Sequence, residues 1–209
     1  MLKRLFDLAA ATFLLLLLAP VLAVVALLVL VTLGRPVLFR QQRPGRGARP
    51  FTLLKFRTMR ETQAAGLEAV ATDAARRTRL GDFLRATSLD ELPELWNVLR
   101  GEMSLVGPRP LMLDYLPHYT PRQARRHEVR PGITGLAQVR GRNALSWEER
   151  FDFDVWYVDH RSFLLDLRIL VETALVVLLR LGNSQDPERA LPPFGSASPS
   201  PPSNPSDNP

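Results

Sequence analysis

The sequence predicts an α+β protein, mostly helical, built from an N-terminal re-entrant membrane helix, a small β-hairpin and a helical domain lying on the membrane. Three observations predict this. Residues 8–33 carry no charged side chain. Two short strand-like runs flank an Arg/Gly-rich loop at 43–50, and beyond residue 80 apolar residues recur at helical spacing behind capping motifs.

The 209 residues suffice for one domain with a real core plus extras at either end, and the net charge of +6 points to a polyanionic partner: nucleic acid, a phosphorylated substrate or an anionic membrane. There is no cysteine, which excludes disulfides, thiolate catalysis and cysteine-bound zinc. His118, His127 and His160 form no metal-ligand spacing.

As one helix, 8–33 would reach ~39 Å, more than the ~30 Å hydrocarbon core of a bilayer. It lacks the short apolar core and cleavage site of a signal peptide. Lys3 and Arg4 precede the run, Arg35, Arg40, Arg43, Arg46, Arg49, Lys55, Arg57 and Arg60 follow it, and no acidic residue stands between Asp7 and Glu61. Both flanks therefore favour the cytoplasm, which one straight span cannot satisfy. Pro20 breaks a helical hydrogen bond mid-run, so a helix turning at Ala19-Pro20 and leaving by the same face fits both flanks. The alternative is an ordinary span with the short N-terminus outside.

Residues 37–42 and 51–56 read as a hairpin around the loop at 43–50, whose arginines suit either a solvated or a lipid-facing patch. Residues 62–75 read as a surface helix or loop. In 87–110, Ser88 and Glu91 have capping-box spacing, Leu92, Leu95, Trp96 and Leu99 have helical spacing, and Pro93 keeps Asp90 and Glu91 at the helix start. Gly101 ends the helix, and Gly107-Pro108-Arg109-Pro110 forms a stiff turn presenting one arginine. Residues 111–130 bring a basic cluster at Arg122, Arg125, Arg126, His127 and Arg130; 130–135 and 141–143 are turn-rich around the apolar 136–139. Ser146 and Glu149 form a second capping box opening a helix through Tyr157, and 166–181, holding Arg168 and Glu172, lies on the membrane or against the core. From 183 onward a Pro/Ser-rich tail reads as disordered and dispensable for folding. The divisions are thus 1–35, the re-entrant hairpin; 36–182, the cytoplasmic domain; and 183–209, the tail.

Adjacent helical residues do not face each other, so Asp90 and Glu91 have distinct jobs. One ionised carboxylate can serve as nucleophile or magnesium ligand while the other handles a proton or orients the acceptor. Lys55, Arg57, Arg85 and Arg109 supply fixed positive charge, the ingredient phosphoryl transfer needs beyond positioning. Taken singly, each element has a plainer use: Ser88 to Glu91 as a helix cap, and Trp96, Trp147 and Trp156 as core or interfacial anchors. A non-catalytic basic adaptor that binds anionic lipid or a partner enzyme is the competing function. No motif that reads nucleic acid is present.

The blocks KRLFDLAAA, LLKFRTM, LRATSLDELPELWNVLRGEMSLVGPRP, RPGITGLAQVRGRN and WYVDHRSFLLDLRIL, spread over 3–181, resemble the small monotopic phosphoglycosyl transferases of the bacterial sugar transferase family. The resemblance implies a re-entrant helix–break–helix in the bacterial inner membrane, with the catalytic domain on the cytoplasmic face. It implies transfer of a sugar phosphate from a UDP-sugar to undecaprenyl phosphate, giving undecaprenyl-diphosphate-sugar and UMP, as the first membrane step of exopolysaccharide, O-antigen or glycan assembly. It further implies a covalent aspartyl intermediate on Asp90, with Glu91 as its dyad partner and Mg2+ held near Asp90. Arg85 and Arg109 match phosphate-binding positions, and Lys55 and Arg57 lie in a similar K-F-R block. Membrane lipids, a second copy of the chain and downstream glycosyltransferases are the implied partners. One departure is the helix break, Ala19-Pro20 where many members carry Ser-Pro, which removes a hydroxyl able to satisfy a freed backbone carbonyl in lipid.

Overall fold

In the computed structural model, which describes residues 1–60, 76–141, 145–178 and 194–195, the apolar N-terminus forms two helices. α1 (Leu2–Leu17) and α2 (Ala19–Leu33) meet at Leu18 with a bend of 63°. The break falls just before the expected Ala19-Pro20, so Pro20 occupies the first turn of α2, where its missing N–H costs nothing. Among the described residues no single helix is long and apolar enough to cross a membrane; the bent pair passes that test together. One face of the pair buries Ala11, Val25 and Val29, while Phe13, Leu16, Val24, Leu27 and Val31 are exposed.

The hairpin forms as expected and extends further into its loop: β1 (Leu38–Pro44) runs antiparallel to β2 (Pro50–Phe56), with Leu38 opposite Phe56 and Pro44 opposite Pro50. α3 (Arg79–Ala86) is capped by the Thr78 hydroxyl, which accepts from the Gly81 N–H at 3.0 Å. α4 (Glu94–Arg100) ends at Gly101, whose φ of +85° is the left-handed geometry that glycine adopts freely. β3 (Ser104–Val106) and β4 (Gly132–Thr134) form a second, parallel pair where the sequence showed only turns. α5 (Pro121–Ala124) and α6 (Leu136–Arg140) are short. α7 (Trp147–His160) opens with the expected capping box, both reciprocal bonds between Ser146 and Glu149 being made, and runs past Tyr157. α8 (Phe163–Leu178) buries Ile169 and exposes Leu164, Val171 and Leu175.

Two apolar clusters hold these elements together. The first joins Ala11 of α1 to Leu95 and Val98 of α4, Phe51 and Leu53 of β2, Tyr157 of α7 and Ile169 of α8. The second joins Val25 and Val29 of α2 to Phe56 and Leu84. The N-terminal hairpin therefore shares its interior with the rest of the chain. Polar ties reinforce this. Buried Asp7 accepts from the Ser104 hydroxyl at 2.8 Å and the Leu105 N–H at 3.2 Å. Lys3 pairs with Asp166 at 2.6 Å, and Arg4 donates to the Val98 and Leu99 carbonyls at 2.7 and 3.2 Å. The stretch expected as a surface helix or loop at 62–75 lies outside the described residues, as does most of 183–209. Phe194 and Gly195 are described, and they depart from the disordered-tail expectation: Phe194 packs among Tyr115, Tyr119, Trp147 and Phe151. A lone aromatic in a Pro/Ser-rich stretch carries no periodicity, so composition hides its apolar contacts.

Candidate active site

The expected cap at Ser88 does not form. Ser88 adopts a left-handed conformation (φ 57°, ψ 17°) and its side chain makes no capping bond, because an N-cap needs extended backbone to aim its hydroxyl at the next N–H groups. Leu89–Glu91 instead form a 3-10 turn, Pro93 is the N-cap residue of α4, and the α-helix proper starts at Glu94. The consequence is geometric. With about three residues per turn, side chains three apart eclipse one another, so Glu91 and Glu94 project together while Asp90 points elsewhere.

Lys55 on β2 meets that projecting pair. Its ammonium lies 2.7 Å from Glu91 Oε1 and 3.1 Å from Glu94 Oε1. Asn97, wholly buried, sets this register: its side-chain oxygen accepts from the Leu54 N–H at 3.1 Å and its amide donates to the Thr52 carbonyl at 2.7 Å and to Glu102 at 2.6 Å. Across the site, Arg109 Nη2 lies 2.6 Å from the same Glu91 oxygen. Glu91 is thus clamped between two cations contributed by separate elements.

Arg109 gets its position from the parallel pair. The Gly107 N–H donates to the Thr134 carbonyl at 2.9 Å and the Gly132 N–H to the Pro108 carbonyl at 3.0 Å. A Cβ on Gly132 would lie 2.1 Å from the Gly107 nitrogen, and one on Gly107 would lie 2.4 Å from the Arg130 carbonyl oxygen. The two turn-rich motifs are therefore halves of one unit, interlocked at a backbone approach only glycine permits. Behind it, Arg126 donates to the Arg109 carbonyl at 2.7 Å and pairs with buried Asp154 at 2.7 Å.

The electrostatics separate the three carboxylates. Asp90 is buried, and its carboxylate has no hydrogen bond or ion pair among the described residues. Burial, then the Glu91 charge, push its pKa up to about 6 against the pull of Lys55, Arg109 and Arg85. Burial also acts to raise Glu91, but the Arg109 and Lys55 charges and hydrogen bonds outweigh it and hold Glu91 well below the ordinary carboxylate range. Glu94 is pushed up to about 7, by burial first and Glu91 second, with Lys55 opposing. The partners of Glu91 keep it ionised, whereas Asp90 and Glu94 titrate near neutrality. Arg43 faces the same space and is pushed down to about 10 by burial and by Arg109.

Of the residues singled out from the sequence, Asp90, Glu91, Lys55 and Arg109 come together, and Arg85 acts on Asp90 through space while donating to the Thr58 hydroxyl at 3.1 Å. Arg57 does not join them. It is buried at the end of α2, donating to the Leu33 carbonyl, to the Gly34 carbonyl at 2.8 Å and to the Arg35 carbonyl at 3.2 Å. The negative end of the α2 dipole and its orphan carbonyls engage it there. Glu94 and Asn97 were missed, and Arg43 and Arg126 were read only as members of basic runs; the i, i+3 relation of Glu91 to Glu94 was the available signal.

The family model described as "Bacterial sugar transferase" matches residues 1–180. The chain belongs to the bacterial sugar transferase family. It is 54% identical over 184 residues to an uncharacterised sugar transferase of Bacillus subtilis, covering 88% of this chain and 91% of that protein. It is 45% identical over 181 residues to a UDP-glucose:undecaprenyl-phosphate glucose-1-phosphate transferase of Caulobacter vibrioides, covering 82% of this chain and 67% of the relative. With the UDP-galactose-lipid carrier transferase of Erwinia amylovora it shares 44% identity over 197 residues, which is 87% of this sugar transferase but only 41% of the longer relative.

For a divalent cation, no group of three His, Cys, Asp or Glu side chains suited to hold a metal exists among the described residues. Magnesium commonly takes one or two carboxylates, with water and substrate phosphate completing its shell. An Asp90 carboxylate without a partner among the described residues fits that mode.

Proposed function

We propose that this sugar transferase moves a sugar phosphate from a UDP-sugar to undecaprenyl phosphate, through a covalent phosphosugar on Asp90, giving undecaprenyl-diphosphate-sugar and UMP. The observation that carries the proposal is the contrast within one turn: Asp90, unpaired among the described residues, beside Glu91 held ionised by Lys55 and Arg109. Relatives named as transferases of this kind support the same reading.

In the first step an Asp90 oxygen attacks the phosphorus that bears the sugar. An O–P bond forms, the bond to the bridging oxygen breaks, and UMP leaves with the electron pair. In the second step a phosphate oxygen of undecaprenyl phosphate attacks that phosphorus, and the Asp90–phosphorus bond breaks to restore the carboxylate. With its pKa near 6, Asp90 is mostly ionised at pH 7.5, the form that attacks. Arg109 and Arg85 bind phosphate oxygens, and Lys55, held by Glu91 and Glu94, completes the positive wall. Asp90 would hold Mg2+, which when bound neutralises phosphate charge.

The acceptor lives in the bilayer, so the anchor is part of the function. Both ends of the α1–α2 hairpin are fastened to one body: Lys3 and Arg4 at the start, and the last α2 carbonyls, through Arg57, at the end. A straight span would separate those ends by ~30 Å across the membrane. This favours a re-entrant hairpin in the bacterial inner membrane with the catalytic domain on the cytoplasmic side. The exposed apolar face of the hairpin, with Trp96, Phe83 and the outer face of α8, is the surface that contacts lipid.

The test is UMP release from a panel of UDP-sugars by detergent-solubilised protein, with Mg2+ and undecaprenyl phosphate, wild type beside Asp90→Asn. Release with one donor, abolished in the variant and by a chelator, supports the proposal. Equal release by both proteins removes Asp90 as nucleophile.

A further inference from the structure

Phe194 is the sole aromatic residue in 183–209, and it is not loose. Its ring centroid lies 4.9 Å from that of Phe151, 5.5 Å from Tyr119 in a stacked arrangement, 5.6 Å from Trp147 and 5.7 Å from Tyr115. Tyr115 also hydrogen-bonds the Phe194 backbone. The next residue lies so close over His118 that a Cβ on Gly195 would come within 2.6 Å of the imidazole. Aromatic pairs at these separations attract beyond the area they bury, and here one ring makes several such contacts at once.

The rings that receive Phe194 are the ones that hold Arg126. Its guanidinium lies 5.7 Å from the Tyr119 centroid and 5.5 Å from that of Phe151, and it donates to the Tyr119 hydroxyl at 3.0 Å. Arg126 then donates to the Arg109 carbonyl at 2.7 Å, and Arg109 reaches Glu91 at 2.6 Å. We propose that Phe194 is a positioning residue: its ring seats against both Tyr119 and Phe151, and this contact aligns Arg126 and, through it, the phosphate-binding Arg109. Phe194 is then a built-in buttress for the donor site. The kinetic part of this inference rests on the phosphosugar-transfer reading; the docking part does not.

The test uses the full chain with Phe194→Ala, Phe194→Leu and Phe194→Tyr. Hydrogen exchange across 107–128 reports docking without reference to activity. In Phe194→Ala it should accelerate around Arg109 as well as around Tyr119, with Phe194→Tyr close to wild type. With the UDP-sugar that wild type uses, KM in Phe194→Ala should rise on the order of tenfold with kcat changed less than about threefold. Phe194→Leu, which keeps apolar volume and folding, should fall between, and Phe194→Tyr should restore KM. Faster exchange confined to 115–119 with KM unchanged, or a loss in kcat alone, overturns the positioning role. Wild type inactive with every donor would sink the proposed function, and the exchange data would then decide docking by themselves: unaltered exchange in Phe194→Ala overturns it.

Discussion

Glu94→Gln should stabilise this protein at alkaline pH, although it removes a charge that contacts Lys55 at 3.1 Å. Glu94 is only 2% exposed, and its pKa is pushed from 4.5 up to about 7. A carboxyl with a raised folded pKa is most favourable when protonated. Its contribution is fully present below pH 4.5 and is lost as pH climbs to 7, because the folded state must then ionise a group that the unfolded state has already ionised. At ~1.4 kcal/mol per pKa unit, the loss is about 3 kcal/mol above pH 7. Glutamine has nearly the shape of the neutral acid and cannot ionise, so the variant should match wild type near pH 5 and exceed it near pH 8. For a domain of this size, that difference raises Tm by roughly 6–12 °C. Lys55 keeps Glu91 at 2.7 Å, so the substitution does not strand the ammonium. The assay is thermal unfolding in detergent, metal-free, at pH 5 and pH 8 for both proteins. A variant less stable than wild type by the same amount at both pH values would refute the reasoning: Glu94 would then be a net favourable ion pair.

Asp90→Asn should behave similarly for stability while losing UMP release. Its pKa is pushed from 3.8 up to about 6, so removing its charge should stabilise the metal-free fold at pH 8 by up to about 3 kcal/mol, read by the same unfolding experiment. Arg109→Ala should raise donor KM roughly tenfold or more, measured by UMP release, since it removes a charged fork facing phosphate. Gly132→Ala should cost several kcal/mol or prevent folding, because its Cβ would lie 2.1 Å from a backbone nitrogen that has nowhere to move. Loss of the soluble fraction or of the cooperative unfolding transition is the readout.

Local signals in the sequence were legible where one segment determined the outcome. The break near Pro20, the hairpin, the glycine stop at 101 and the capping box at Ser146 each depend on residues within one turn of one another. What was not legible depended on partners far along the chain. The parallel strands Ser104–Val106 and Gly132–Thr134 are short, and only the interlocking of Gly107 with Gly132 reveals them. Arg57 was expected as a phosphate contact from the resemblance of its K-F-R block, yet the end of α2 lies beside it in space. The carboxylates at 90 and 91 were legible as a pair. The 3-10 turn that splits their environments was not, since Ser88 has capping-box spacing but a left-handed backbone. The third carboxylate, Glu94, is revealed only by Lys55, which approaches it from β2.

α4 explains why the anchor and the site belong to one fold. It is short, so its ends are only ~10 Å apart at 1.5 Å per residue. At its N-terminal end stand Glu94 and, one 3-10 turn earlier, Asp90 and Glu91. At its C-terminal end the orphan carbonyls of Val98 and Leu99 accept from Arg4, at the start of the membrane hairpin. Leu95 and Val98 on its side pack with Ala11 of α1, and Asn97 bonds it to β2, which carries Lys55. Under the proposed function, the height of the reactive carboxylates above the bilayer would be set by α4, a strut whose two ends are held by different parts of the chain. On that reading a loop-mounted carboxylate would not hold that height, and an acceptor phosphate confined to the headgroup plane would not move to meet it. The same proposal would account for the division of the apolar residues of α1 and α2, with Ala11, Val25 and Val29 buried in the core and Phe13, Leu16, Val24, Leu27 and Val31 left exposed.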